Sequence, residues 1–333
     1  MQYYKSLNNK IECLLCRHHC HIKNGEVGIC GINKNENGEL KTLVYNYPSA
    51  LNIDPIEKKP LYHFLPGSKI LSIGTVGCNF KCPFCQNWEI SQTSTINKEI
   101  GKLTPYDMMN IVAKYHCDGV AYTYNEPSIF YPYAKDIGEL VALKGAKNIF
   151  VTNGYESIEE LEDMDWVDAM NIDLKSFNKE YYKKELKGNL ELVLNTIKRA
   201  YEKGIWIEIT TLVIEGINDS NDELHKMAKF IAGIDVNIPW HLSAFHPDYK
   251  MIDTNSTQII TLQKAYKIAK SYGLRYVYFG NVDSANITNC PNCNKELIVR
   301  DRFKVLKNEI TKENSCPKCG EKIAGIWHKK VEF

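Results

Sequence analysis

From Lys69 onward, short apolar runs alternate with longer stretches whose apolar residues return every third or fourth position. The short runs at 70–73, 119–124, 148–152, 169–174, 206–211, 241–244 and 276–279 have the length and composition of β-strands. The longer stretches at 105–116, 129–143, 190–201, 223–231 and 257–271 have helical period. Strand and helix in strict turn predict parallel βα units, hence an α/β fold. We expect an open or closed (β/α) barrel of six or seven strands across residues 67–285. Residues 1–66 are rich in Cys and His and then loop-like, with Pro48, Pro55, Pro60 and Pro66 breaking any long element. Residues 286–333 read as a third unit, organised by four cysteines.

Polarity within the strands sharpens this picture. Asn171, Asp173 and Lys175 share one face, with Ile172 and Leu174 on the other. Glu208 and Thr210 alternate with Ile207 and Ile209, and His241 and Ser243 with Leu242 and Ala244. Successive strand residues point to opposite sides, so the apolar sets can face the helices while the polar sets line the interior. Buried polar groups need partners, and the barrel mouth is therefore expected to hold a polar ligand. A half-exposed antiparallel sheet would show the same alternation but leaves the intervening helical stretches unexplained.

At 333 residues the chain exceeds what one core usually organises. A net charge of +1 argues against general attraction to nucleic acid or anionic membrane. No apolar run approaches about 18 residues, and the opening Met1-Gln2-Tyr3-Tyr4-Lys5 lacks the core of a signal peptide. A cytoplasmic protein is expected. Of the 12 cysteines all but Cys117 fall in three tight groups, the spacing of metal ligands kept reduced rather than of disulfides. Cys117 is expected to be a small buried apolar side chain.

The central group lies in the run Gly77-Cys78-Asn79-Phe80-Lys81-Cys82-Pro83-Phe84-Cys85-Gln86-Asn87. Three thiolates leave one iron of a four-iron cluster open to a ligand from outside the protein. A three-ligand zinc site or unrelated core cysteines fit less well, because the loop follows the first barrel strand, at the rim where barrel enzymes place their sites.

These residues resemble the signature of the radical S-adenosylmethionine (SAM) superfamily, and residues 77–91 are similar to its activating-enzyme branch, related to the pyruvate formate-lyase activase. Tyr124-Asn125-Glu126-Pro127 stands where that branch has Gly-Gly-Glu-Pro. Val151-Thr152-Asn153-Gly154, Asp173-Leu174-Lys175 and Pro239-Trp240-His241 fit its later strands. A closer match is the AmmeMemoRadiSam group, over nearly the whole chain. It rests on the N-terminal cysteines, Asp54-Pro55-Ile56-Glu57-Lys58-Lys59-Pro60-Leu61, the stretch 240–251 with His246-Pro247-Asp248-Tyr249-Lys250, Gly280-Asn281-Val282, and the C-terminal Cys-Pro-x-Cys pairs.

The resemblance implies a partial (β/α)6-type barrel and a 4Fe–4S cluster on Cys78, Cys82 and Cys85 whose open iron chelates SAM. Reductive cleavage of the sulfonium S–C5′ bond would leave methionine and a 5′-deoxyadenosyl radical that abstracts hydrogen from a substrate. It further implies that Asn125 or Glu126 holds the SAM ammonium and that Thr152, Asn153, Asp173 and Lys175 contact SAM. Glu208 and His241 would complete the pocket, and Phe84 would place its backbone near the adenine. Taken singly, Glu126-Pro127 reads as a turn opening a helix, Asp173 and Lys175 as an ion pair, and His241 as a core histidine. Two departures from the activases stand out: Tyr124-Asn125 replaces Gly-Gly, and Val151 stands where they have an aspartate that helps hold a monovalent cation.

Cys290-Pro-Asn-Cys293 and Cys316-Pro-Lys-Cys319 read as two knuckles of a zinc-ribbon-like module, with structural zinc preferred to a rubredoxin-like iron. Its 10 basic and 6 acidic residues are a mild excess, usually a solvated face. Cys13, Cys16, Cys20 and Cys30, with His18, His19 and His21 interleaved, form another closed set. Zinc and an auxiliary iron–sulfur cluster suit that spacing equally. Two targets follow from the resemblance. One is a partner protein activated by loss of a backbone hydrogen. The other is a small molecule or nucleotide held with the help of Tyr122, Tyr124, His246, Asp248 and Tyr249. A reductant such as flavodoxin or ferredoxin is implied, and Ammecr-type and Memo-type proteins are implied associates. The competing class is a zinc-ribbon module binding RNA or protein, its barrel catalytically idle.

Overall fold

A computed structural model describes residues 2–96, 100–283 and 285–328. Strands β1 (Tyr4–Leu7), β2 (Lys10–Cys13) and β3 (His21–Lys23) make a small antiparallel sheet. β4 (Asn33–Glu36) and β5 (Glu39–Thr42) form a hairpin whose turn, Asn37-Gly38, has positive φ at both positions, as a two-residue hairpin loop requires. β6 (Ala50–Pro55) then runs antiparallel to β7 (Lys69–Gly74). β8 (Gly119–Tyr122), β9 (Lys147–Thr152), β10 (Ala169–Asp173), β11 (Trp206–Val213), β12 (Trp240–Ala244) and β13 (Val277–Gly280) follow β7, all parallel. The 8-stranded sheet keeps chain order from β6 to β13.

Helices return the chain between parallel strands, and local chemistry sets where they start. Thr104 caps Pro105–Lys114 reciprocally with Asp107, and Pro105 occupies the first turn, where its missing N–H costs nothing. Ser157, Asn189 and Ser220 cap Ile158–Glu162, Leu190–Glu202 and Asn221–Ala232 through their side-chain oxygens. Leu190, Val193, Leu194, Ile197 and Ala200 bury one stripe of their helix against the sheet. The seven expected strands are all present, with ends shifted by a residue or two. The 119–124 strand stops at Tyr122, because Tyr124 turns into left-handed backbone (φ 71°).

The stretch up to residue 66 packs closely on the barrel: β6 is an edge strand of the main sheet, and Ile11, Ile22, Ile32 and Val44 join the core that holds Ile73, Val120 and Ile172. The segment after β6 enters the barrel from the end opposite the C-terminal strand tips. There the Glu208 carboxylate accepts the backbone N–H of Tyr62 (3.0 Å) and His63 (2.7 Å), the Trp206 indole N–H (3.1 Å) and His241 Nε2 (2.7 Å). Asn171 donates to the Pro60 carbonyl at 2.8 Å.

The C-terminal unit docks on this floor. β14 (Asn286–Asn289), β15 (Glu296–Asp301) and β16 (Lys304–Asn308) form an antiparallel sheet. Its core residues Leu297, Ile298, Ile323 and Trp327 pack with Tyr62, Tyr276 and Tyr278. The Ile326 N–H donates to the His63 carbonyl, and the Leu65 N–H to the Ile326 carbonyl, both at 2.7 Å. Arg300, with no exposed surface, donates to the Tyr62 carbonyl (2.6 Å) and Thr288 Oγ1 (2.9 Å) and lies 3.6 Å from Glu57. A buried guanidinium leaves an uncompensated charge behind when removed. Arg300→Met is therefore expected to lower unfolding free energy by about 3–5 kcal/mol in denaturant titration, and adding Glu57→Gln to recover part of it. A loss below about 0.5 kcal/mol would reject this account of the floor.

Candidate active site

At the C-terminal ends of the parallel strands lies a cleft of about 310 Å³, bordered by Cys78, Cys82, Cys85 and Phe84 on one side and Asp173, Lys175 and Thr210 on another. Asn125, Glu126, Thr152 and Asn153 line it as well. Of the nine side chains the resemblance implies for SAM, seven meet here. Glu208 and His241 do not. They sit two residues before Thr210 and Ser243, which do line the cleft, and so face inward one layer deeper, bonded to each other and to the Tyr62-His63 floor.

The loop after β7 is held by polar side chains from the neighbouring strand end. Asn125 Nδ2 donates to the Gly77 carbonyl (2.9 Å) and Thr75 Oγ1 (3.0 Å), while its Oδ1 accepts the Thr75 N–H (3.1 Å). Asn153 Nδ2 donates to Asn79 Oδ1 at 2.8 Å, between Cys78 and Cys82. Glu126 accepts from the Asn153 and Ser128 N–H groups and from the Ser128 and Thr152 hydroxyls. With its lone pairs taken, this carboxylate acts as a strut behind the cleft wall. Cys78 Sγ accepts the Phe80 N–H at 3.4 Å, and Cys85 Sγ lies 3.1 Å from Ser91 Oγ.

Lys175 Nζ pairs with Asp173 at 2.6 Å and lies over the Phe84 ring. Burial alone would lower its pKa, but Asp173 and the Cys82 thiol outweigh it and hold the ammonium charged. Burial pushes Cys82 up to about 12 against the pull of Lys175. Buried thiols of this kind give up their protons to a metal rather than to water. Asn153 Oδ1 and Thr210 Oγ1 are buried at the cleft without a hydrogen-bond partner. Three thiols facing a carboxylate, an ammonium and unused amide and hydroxyl groups suit a cluster with a charged, polar ligand.

Several residues escaped the sequence reading. Asp54 accepts from Lys58, Lys59 and Tyr124, each at 2.9 Å, and so holds Lys58 and Tyr124, which border the cleft. The run 54–61 was the available signal. Behind Thr152 stand Glu156 and Glu160, both fully buried. Tyr122 points away, its hydroxyl donating to Asn148 at 3.1 Å. His246 and Tyr249 sit at the rim, 2.7 Å from Gln86 and stacked on Trp88 respectively. Cys117 is half-buried, and burial raises its pKa.

The flanking cysteines form two further sets. Cys290 and Cys293, and Cys316 and Cys319, sit on matching turns with left-handed backbone at Asn294 and Gly320. Their sulfurs approach to 3.5 Å (Cys290–Cys319) and 3.7 Å (Cys293–Cys316). A tetrahedral ion with metal–sulfur bonds of about 2.3 Å spaces its sulfurs about 3.8 Å apart, so this set fits a single metal ion. Cys13, Cys16, Cys20 and Cys30 gather between β2 and β4, beside the Cys78 loop.

Residues 72–231 match the family model of the radical SAM superfamily. An uncharacterised protein of Methanocaldococcus jannaschii is 42% identical over 97% of this chain and 98% of its own length. A putative glycyl-radical enzyme activating enzyme of the same organism is 26% identical over 61% of this chain and 77% of its own. The GTP 3′,8-cyclase of Aquifex aeolicus is 23% identical, covering 74% and 87%. Among solved structures, a radical SAM methyltransferase from Sphaerobacter thermophilus superposes with a TM-score of 0.52 at 13% identity, over 66% of this chain and 68% of that one. The chain belongs to the radical SAM superfamily. Membership implies a 4Fe–4S cluster and SAM, and the cleft's donor set suits both.

The buried acids give a pH test. Burial, and then Glu126, raise Glu156 from 4.5 to about 8. A carboxyl raised on folding stabilises fully below its unfolded value and loses that contribution as pH rises through its folded value. Stability should therefore fall between about pH 4.5 and 8 through this group. Glu156→Gln, a neutral mimic of the protonated carboxyl beside the Thr152 hydroxyl, should flatten that decline in unfolding curves recorded without oxygen. An unchanged slope would mean Glu156 is ionised in the folded protein.

Proposed function

We propose that this chain is an enzyme that reductively cleaves SAM and uses the resulting carbon radical to take hydrogen from a small polar molecule or nucleotide bound in its own cleft. The observation that carries the proposal is the meeting of Cys78, Cys82 and Cys85 with Asp173, Lys175, Asn153 and Thr210 around one opening. When bound, the cluster supplies the electron and SAM the 5′-deoxyadenosyl radical. The chain's own residues do the rest. Cys78, Cys82 and Cys85 hold three irons, Asn125 and Asn153 keep their loop in place, and Lys175 and Asp173 offer opposite charges to the methionine end of SAM. Phe84 gives the adenosine an apolar wall beside the lysine.

Lys58, Tyr124, Ser243 and Asn281 border the cleft as well, and these polar groups favour an internal small-molecule substrate. The GTP 3′,8-cyclase among the relatives has a nucleotide in its name, which accords with this choice. The activating-enzyme relative instead suggests a protein radical. The idle-barrel alternative sits poorly with a triad and cleft left intact.

Assignment to the AmmeMemoRadiSam group, with Ammecr-type and Memo-type partners and a flavodoxin or ferredoxin donor, belongs to the same proposal. It is supported by the structural use of the run 54–61, in which Lys58 and Pro60 border the cleft, Asp54 holds Lys58 and Glu57 faces Arg300. A reducing cytoplasm suits 12 unpaired cysteines, and no helix among the described residues is long and apolar enough to cross a membrane. We assign zinc to the C-terminal set.

Anaerobic reconstitution should load about four irons on the triad and give dithionite-dependent 5′-deoxyadenosine from SAM. Cys82→Ala should abolish that product; undiminished formation would reject the proposal. Isotope from a labelled substrate appearing in 5′-deoxyadenosine would identify the target, and label from a partner protein's backbone would replace the small-molecule reading. Metal analysis should find one zinc per chain, lost in Cys293→Ser and insensitive to Cys82→Ala.

A further inference from the structure

The N-terminal cysteines touch the loop that carries Cys78. The Cys30 carbonyl lies 2.5 Å from where a side chain on Gly77 would begin, so only glycine (φ 88°) allows the approach. His18, between Cys16 and Cys20, donates from Nε2 to the Asn79 carbonyl at 3.0 Å. Its ring packs on Tyr155 at 4.9 Å, and Tyr155 packs on Phe80 at 5.1 Å. Cys16 also pairs with Glu156 by backbone, behind the same wall. From Cys78 the covalent path to Asn79, one hydrogen bond and two residues of chain reaches Cys16 or Cys20.

Spacing separates this set from the C-terminal one. Among the described residues, only Cys290, Cys293, Cys316 and Cys319 bring three or more ligand atoms of His, Cys, Asp or Glu within 4.8 Å of one another. The N-terminal four are grouped: the Cys13 N–H donates to the Cys20 carbonyl at 2.9 Å, Cys20 packs on the core that holds Cys13 and Cys30, and the Cys16 carbonyl accepts the His19 N–H at 3.1 Å, one residue from Cys20. Yet no three of their sulfurs converge as a single tetrahedral ion demands, and the Cys78 triad behaves the same way. Thiolates on a cluster each hold a different iron and stand wider apart.

We infer that Cys13, Cys16, Cys20 and Cys30 hold a second iron–sulfur cluster that passes single electrons to the cluster on Cys78, Cys82 and Cys85. The inference rests on the triad reading above. Four protein ligands close the site, so this cluster has no open iron for SAM and serves electron transfer. An electron from a low-potential one-electron donor reduces it, and it is reoxidised as the triad's cluster is reduced. No bond breaks at the N-terminal site. Cys13, Cys16 and Cys30 are buried while Cys20 is half-exposed, which marks the edge where the electron enters.

The full chain with Cys78, Cys82 and Cys85 all changed to Ala, purified anaerobically, should retain about four irons, iron–sulfur absorbance, and a paramagnetic signal after dithionite. Adding Cys13→Ala and Cys20→Ala should remove these and leave one zinc. Two zinc ions and no cluster absorbance would overturn the inference. The unaltered chain provides a check free of misfolding: about eight irons by chemical analysis and Mössbauer spectroscopy support it, about four overturn it. His18→Leu should keep both clusters but slow reduction of the triad's cluster by reduced flavodoxin at least tenfold, with dithionite reduction changed less than twofold. Equal flavodoxin rates would overturn the relay. A chain that holds both clusters but makes no 5′-deoxyadenosine would count against the proposed function alone.

Discussion

A carboxylate inside the barrel has to be paid for in hydrogen bonds, and Glu208 meets that demand by recruiting chain from elsewhere. Its oxygens collect two backbone N–H groups from the 62–63 segment, an indole and an imidazole. Burial would raise its pKa, yet His241 and the other donors reverse the sign and hold it ionised. The segment so captured becomes the floor on which Arg300, Trp327 and the backbone bridge at Ile326 assemble. Remove that charge and the third unit loses the surface it recognises.

Polar residues in the barrel thus divide into two layers with opposite duties. The lower layer, Asn171, Glu208 and His241, is satisfied within the protein and fixes architecture. The upper layer, Asp173, Thr210 and Ser243, faces the cleft, and Thr210 Oγ1 has no partner. A satisfied group rigidifies and an unsatisfied one awaits a ligand. Asn125 and Asn153 follow the same logic at the rim, spending their amides on the cysteine loop.

Much of this was legible in the sequence, for identifiable reasons. Parallel strands bury both faces and read as apolar runs, so all seven stood out. Period two shows which face a residue occupies but says nothing of its height, so it cannot separate Glu208 and His241 from Thr210 and Ser243 two residues above them. β6 was hidden because Ala50-Leu51-Asn52-Ile53-Asp54-Pro55 is a short edge strand ending in proline. Nothing in the pattern singles out Glu156 and Glu160, since only tertiary packing buries them. The three cysteine groups were plain from spacing, whereas the tight approach of the four C-terminal sulfurs needed coordinates.

The docking of residues 324–326 onto 63–65 carries a consequence for biosynthesis. A ribosome releases the chain from its N-terminus, so the parallel strands emerge well before Arg300 and Ile326. Until then Glu57 lacks its cation and the aromatic surface of Tyr62, Tyr276 and Tyr278 is bare. The nascent barrel passes through a stage in which this underside stays open to water. Completion of the last unit acts as a latch, and the cysteine loop above it is mounted on a finished scaffold only once that latch has closed.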